Sequence, residues 1–174
     1  KVKTIVVTSA GPGEGKSTVA ANLAVSITQA DKKVLFIDCD LRKPKIHTFF
    51  RMRNGEGLTN ILVKDLDYKE AINKINYIEN FHVLTAGPIP PNPSELLGSK
   101  KMKEFIEKVK DEYDMVILDA PPVGMVTDAA ILSTIVDGTI FVCAVGDANI
   151  EATKVAKNLL DKVNANILGV VLNK

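Results

Sequence analysis

The sequence predicts a three-layer α/β domain with a mostly parallel central sheet flanked by helices. Three observations predict it. Short apolar runs rich in β-branched residues alternate with stretches of helical periodicity along the 174 residues. The apolar runs are continuous, as in strands covered on both faces, and do not alternate with polar residues. The first run also leads through a glycine-rich turn directly into a helix, the setting in which such a turn holds phosphate.

Taken in order, the predicted strands are Thr4–Thr8, Val34–Ile37, Val83–Thr85, Met115–Leu118, Thr139–Ala144 and Ile167–Leu172. Between them, Val19, Ala20, Leu23, Ala24 and Ile27 share one helix face. Met102, Phe105, Ile106 and Val109 share a second, and Ala152, Val155, Ala156, Leu159, Leu160 and Val163 a third. Strands alternating with helices call for right-handed crossovers. The length suits one domain over residues 1–174 and is too short for two ordinary ones. The chain opens without methionine and stops directly after a strand-like run, so it is expected to be a piece of a longer protein.

A net charge of +1 gives no field strong enough to point to nucleic acid, so no nucleic-acid partner is expected. Cys39 and Cys143 lie inside apolar runs without metal-ligand spacing and are expected to be buried, reduced thiols of a cytoplasmic protein. No apolar run approaches the ~18 residues needed to span a bilayer.

The turn after the first strand reads Ala10-Gly11-Pro12-Gly13-Glu14-Gly15-Lys16-Ser17-Thr18. Its glycines let successive backbone N–H groups converge on one anion, and the helix beginning near Lys16 adds its positive end. This is the phosphate loop of a P-loop nucleoside triphosphatase, with Gly11 to Thr18 as nucleotide-binding residues and Ala10 in place of the usual first glycine. Lys16 is expected on the β- and γ-phosphates of ATP or ADP, Ser17 on Mg²⁺ and Thr18 near the α-phosphate.

A magnesium nucleotide site also needs carboxylates. Asp119 ends the Met115–Leu118 strand, at the sheet edge where open α/β sheets bind ligands, and fits the Walker B role on the metal. The segment ending Asp38-Cys39-Asp40-Leu41-Arg42 supplies two more, which extended backbone would point the same way. One could order metal waters, and one could accept a hydroxyl proton.

Two other stretches have two readings each. Ala86-Gly87-Pro88-Ile89-Pro90-Pro91-Asn92-Pro93 is stiff and either lines the site or merely crosses the surface. Arg42, Lys43, Lys45, Arg51 and Arg53 form either a solvated face or a docking surface for an acidic or phosphorylated tail. His47, in the same stretch, is expected to be structural.

The combination of Ala10–Thr18, Asp38-Cys39-Asp40-Leu41-Arg42-Lys43-Pro44 and Leu118-Asp119-Ala120-Pro121-Pro122 resembles the bacterial protein-tyrosine kinases of capsule and exopolysaccharide synthesis. The run Leu84–Leu97 and the ending Gly169-Val170-Val171-Leu172-Asn173 match that family as well. The resemblance implies a kinase that moves the γ-phosphoryl group of MgATP to tyrosines of a neighbouring subunit's C-terminal tail. It also implies a ring oligomer and a membrane adaptor or co-polymerase, in the same or a separate chain, holding the domain at the inner face of the membrane. By the same resemblance Lys16 acts in catalysis, Asp38 is the base, Asp40 binds Mg²⁺ with Ser17 and Asp119, and Asn173 touches adenine, while an exchange of the Asp38 and Asp40 roles stays open.

Two family features are missing from these residues: a tyrosine-rich tail, and a Glu/Arg-rich helix before the first strand. Tyr68, Tyr77 and Tyr113 stand singly and are expected to be structural. The alternatives are a regulator that binds nucleotide without transferring phosphate, or an ATPase switch of the chromosome-partitioning or division-site type. The switch would place a second lysine five residues before Lys16, where this chain has Gly11.

Overall fold

The computed structural model describes residues Lys1–Lys174. Along the chain run β1 (Thr4–Ser9), α1 (Lys16–Thr28), β2 (Val34–Asp38), α2 (Ile46–Phe49), α3 (Leu58–Lys64), α4 (Tyr68–Ala71), β3 (Asn73–Lys74) and β4 (Phe81–Leu84). They are followed by α5 (Pro93–Leu97), α6 (Lys100–Glu112), β5 (Met115–Asp119), α7 (Asp128–Ser133), β6 (Gly138–Ala144), α8 (Ile150–Lys162) and β7 (Ile167–Asn173). The seven strands form one sheet in the order β3-β4-β2-β5-β1-β6-β7, parallel except where β3 meets β4.

Each face of the sheet carries its own apolar layer, which makes the predicted three layers. On one side α1 brings Ala20 and Ala24 against Val7, Phe36 and Val142. On the other, Met102 and Phe105 of α6, Leu132 of α7 and Leu160 of α8 pack over Leu35, Leu118 and Phe141. Small residues let α1 sit close to the sheet; the larger Val19, Leu23 and Ile27 only flank that contact. Ser99 caps α6, its hydroxyl accepting the Met102 N–H at 3.2 Å, and Asn149 caps α8 through the Ala152 N–H at 3.0 Å.

Chain order differs from spatial order, and this difference places the site. Strand β5 inserts between β1 and β2, so that Asp119 is in register with Val7 on one side and Asp38 on the other. The ends of β1, β2 and β5 therefore open onto one edge, where the strand order switches direction.

Several expectations change. Strand β7 is an edge strand and is not buried on both faces: Val170 and Leu172 are 56% and 71% exposed. Of the stripe expected on α8, only Ala156 and Leu160 are buried. Cys39 is buried but Cys143 is only half-buried, near that same edge; both thiols are free. Tyr68 and Tyr113 are core residues, whereas Tyr77 projects 79% exposed from the β3–β4 turn. The two-residue β3 had no periodicity to reveal it.

Candidate functional site

The phosphate loop is bent by two left-handed glycines, Gly13 (φ 75°) and Gly15 (φ 83°). At Gly15 a Cβ would fall on the side-chain amide of Asn173. That amide donates to the Glu14 carbonyl at 3.0 Å, and Lys174 Nζ donates to the Gly13 carbonyl at 2.8 Å. The last strand thus braces the first loop. Glu14 turns inward: Oε2 accepts the Gly11 N–H at 2.8 Å and Oε1 the Ala144 N–H at 3.3 Å. Its side chain shapes the loop from behind and does not line the cavity.

Beneath the loop, Lys16, Ser17 and Asp119 close on one another. Lys16 Nζ is 3.2 Å from Asp119 Oδ1 and 3.2 Å from Ser17 Oγ, and Ser17 Oγ donates to Asp119 Oδ2 at 2.7 Å. Asp119 is 1% exposed. Burial pushes its carboxyl up, against the opposing pull of Lys16 and the hydroxyl of Ser17.

Asp38 and Asp40 part company. Strand β2 ends at Asp38, so the extended alternation stops there and the two side chains take different directions. Asp38 turns back on its own loop: Oδ1 accepts the Asp40 N–H at 3.0 Å, and Oδ2 accepts those of Lys45 and Ile46 at 3.0 and 3.1 Å. It is fully buried. Burial, and after it the Asp119 charge, push its carboxyl up to about 7 despite those amides. Asp40 accepts the N–H groups of Arg42 and Lys43 at 3.2 and 2.9 Å and faces the cavity.

The cavity, about 280 Å³, is bounded by the phosphate loop on one wall and by Asp40, Lys43, Lys45 and Phe49 on the other. The proline-rich run does not line it. That run is tied instead to the loop before α3, where Asn54 Oδ1 accepts the Gly87 N–H at 2.8 Å. Its successor Ser94 donates to Asp128 Oδ1 at 2.7 Å, and Arg42 grips the same carboxylate through Nε and Nη2 at 2.9 and 3.1 Å. Asp128 is fully buried. Sequence reading missed it, because a carboxylate at a helix start looks like an ordinary cap and its partner lies 86 residues away. Phe49 was missed too, since nothing in the pattern separates it from the buried Ile46 and the half-buried Phe50.

Asp119 meets the ammonium of Lys16 and Asp40 faces the same cavity, while the oxygens of Asp38 are taken by amides. Two carboxylates and the Ser17 hydroxyl fit Mg²⁺, which takes one or two carboxylates alongside phosphate and water oxygens. No cluster of acidic, histidine or cysteine side chains forms a metal cage without phosphate.

The AAA domain family matches residues 2–167. Tyrosine-protein kinase YwqD of Bacillus subtilis is 47% identical over 173 residues, which make up 99% of this chain and 73% of the relative. Tyrosine-protein kinase CpsD of Streptococcus pneumoniae serotype 4 is 41% identical over 100% of this chain and 77% of its own length. Among solved structures, the chimerical protein CapA2B2 superposes with a TM-score of 0.96 at 43% identity, covering 99% of this chain and 76% of that one. The kinase domain of Escherichia coli tyrosine kinase ETK gives 0.92 at 36%, covering 98% and 67%. The septum site-determining protein MinD of Pyrococcus horikoshii, solved with Mg-ADP, is more distant: 0.82 at 26%, covering 99% and 70%.

Proposed function

Because this chain belongs to the bacterial tyrosine-protein kinases within the AAA domain family, we propose that it transfers the γ-phosphoryl group of MgATP to tyrosine hydroxyls. The observation that carries this is the two-walled cleft: Lys16, Ser17 and Asp119 converge below the phosphate loop, and Asp40 faces them from the other wall.

In the transfer, Lys16 releases Asp119 and neutralises the charge on the β- and γ-phosphates, while the backbone N–H groups from Gly13 to Thr18 hold the phosphate chain. Ser17, Asp119 and Asp40 would hold Mg²⁺, which would offset phosphate charge. Asp40 accepts the tyrosine proton as the hydroxyl oxygen attacks the γ-phosphorus and ADP departs. Asp38 supports this from behind by fixing the backbone from Asp40 to Ile46. That arrangement moves the base from Asp38, where the family resemblance implies it, to Asp40, which keeps its implied place beside Mg²⁺, since a base must reach its proton and the Asp38 oxygens face three amides. Asn173 keeps its Oδ1 for the amino group of adenine.

On this reading the acceptors are tyrosines of a neighbouring subunit's C-terminal tail. Residues 1–174 serve as one P-loop kinase domain within a ring held at the membrane by its adaptor, and the reaction regulates capsular or exopolysaccharide export. No helix in this chain is long and apolar enough to cross a membrane.

Gly11 speaks against the division-site switch. A Cβ there would meet nothing within 4 Å, so the loop has room for a signature lysine and does not carry one. The test is labelled ATP with a tyrosine peptide. Phosphotyrosine supports the kinase; inorganic phosphate alone would favour the switch.

A further inference from the structure

The five basic residues that follow Asp40 in sequence do not act as one surface. Arg42 is spent on Asp128. Arg53 lies apart, in grooves beside Phe50 and Lys74 and beside Glu56 and Glu70. Lys43 and Lys45, by contrast, line the catalytic cleft, and neither forms an ion pair.

Their placement is fixed by backbone. The Lys43 N–H is held by Asp40, and the Lys45 N–H by the buried carboxylate of Asp38. Beside them stands Phe49, 44% exposed although its neighbours Ile46 and Phe50 pack into the apolar layer. The Phe50 ring meets Phe36 and Phe81, so the core is complete without Phe49. An exposed ring and two unpaired ammonium groups thus share the wall that carries Asp40, opposite the phosphate loop.

We propose that Lys43, Lys45 and Phe49 form the acceptor half of the cleft, a subsite for a tyrosine flanked by acidic residues in a peptide. The inference rests on the kinase reading and specifies its substrate. Phe49 packs against the acceptor ring, an aromatic pair that also excludes water from the hydroxyl. Lys43 and Lys45 meet carboxylates on either side of it, complementing charge that the phosphate loop, busy with the nucleotide, cannot. The same lysines screen an acidic peptide from Asp40, which would otherwise repel it.

The test compares three peptides of equal length with one tyrosine each, flanked by glutamates, glycines or lysines. The whole chain serves as enzyme, and phosphotyrosine is the readout. The glutamate peptide is expected to exceed the lysine peptide roughly tenfold in kcat/KM, mostly through KM, with the gap narrowing as salt rises. Lys43→Glu with Lys45→Glu is expected to reverse the order, and Phe49→Ala to raise KM for all three peptides about tenfold without reversing it. Equal use of the peptides, or no reversal in a double variant that melts at the wild-type temperature, overturns the subsite and leaves the kinase standing. Loss of ADP affinity in the double variant matching its loss of peptide turnover overturns it too, by assigning the lysines to the nucleotide. If ATP is consumed and no peptide is phosphorylated, the kinase reading falls and the subsite falls with it.

Discussion

Asp38 and Asp119 face each other as register partners at the ends of β2 and β5, both closed off from solvent. Their proximity raises the Asp38 carboxyl after burial has already done so, while Asp119 has Lys16 against it. Two neighbouring strands thus deliver like charges to one place, an arrangement that costs stability unless a cation is held there. One carboxylate meets its cation directly. The other is stabilised by amides alone, and from this difference their separate roles follow.

Lys16→Met removes the only ammonium beside Asp119. A fluorescent-ADP titration is expected to lose saturable binding, and phosphotyrosine formation to fall by roughly a thousandfold. A variant that binds ADP normally would remove Lys16 from the phosphate site.

Asp38→Asn and Asp40→Asn are expected to differ in kind. An amide at 38 cannot accept on both sides, so at least one of the Asp40, Lys45 and Ile46 N–H groups loses its partner. The expected cost is about 2–3 kcal/mol, roughly 5–10 °C in melting temperature. Asp40→Asn is expected to melt within about 2 °C of the wild type yet lose roughly 10²–10³ in kcat. A full-strength Asp40→Asn kinase would return the base to Asp38.

Arg42→Ala leaves the buried Asp128 with only Ser94 for support. Removing one partner of such a pair is expected to cost about 2–3 kcal/mol, below the usual range for wholly buried pairs because Arg42 itself is partly solvated. A double-mutant cycle with Asp128→Asn by urea unfolding should show the two residues coupled. Additive losses would mean that the contact carries no weight.

Asp137 sets an acid limit on stability. Burial works against its ionised form, but Lys110 and the Lys3 and Thr4 amides prevail and bring the carboxyl down to about 2 from 3.8. A depressed carboxyl stabilises the fold above its unfolded value and loses that contribution as pH falls through its folded one. About 2 kcal/mol is therefore expected to drain between pH 3.8 and about 2. Asp137→Asn should flatten urea-unfolding stability across that window; an unchanged slope would rule out this source.

The phosphate loop and Asp119 were legible because strand, turn and helix follow one another in sequence, and local pattern suffices for such units. The strands could be read for the same reason, except the very short β3. Pairings between distant segments were hidden. Nothing local marks Asp128 as the partner of Arg42, or reveals that Asn173 spends its amide on Glu14. Asp38 and Asp40 were found as a pair, but the division between them depends on where β2 stops, and period-two reasoning carries no information beyond a strand's last residue. The exposed faces of β7 and α8 escaped because apolar periodicity reports which side could be covered, not whether anything covers it.

Asn173 and Lys174 reach the phosphate loop across 159 and 161 positions of chain. Contacts so remote in sequence are the slowest to form, because loop closure must be completed before they contribute. The Gly13–Gly15 turn is therefore among the last parts of the described chain to be secured. A chain still short of β7 lacks that brace, so competence at the loop is expected to arrive late and together with the finished sheet.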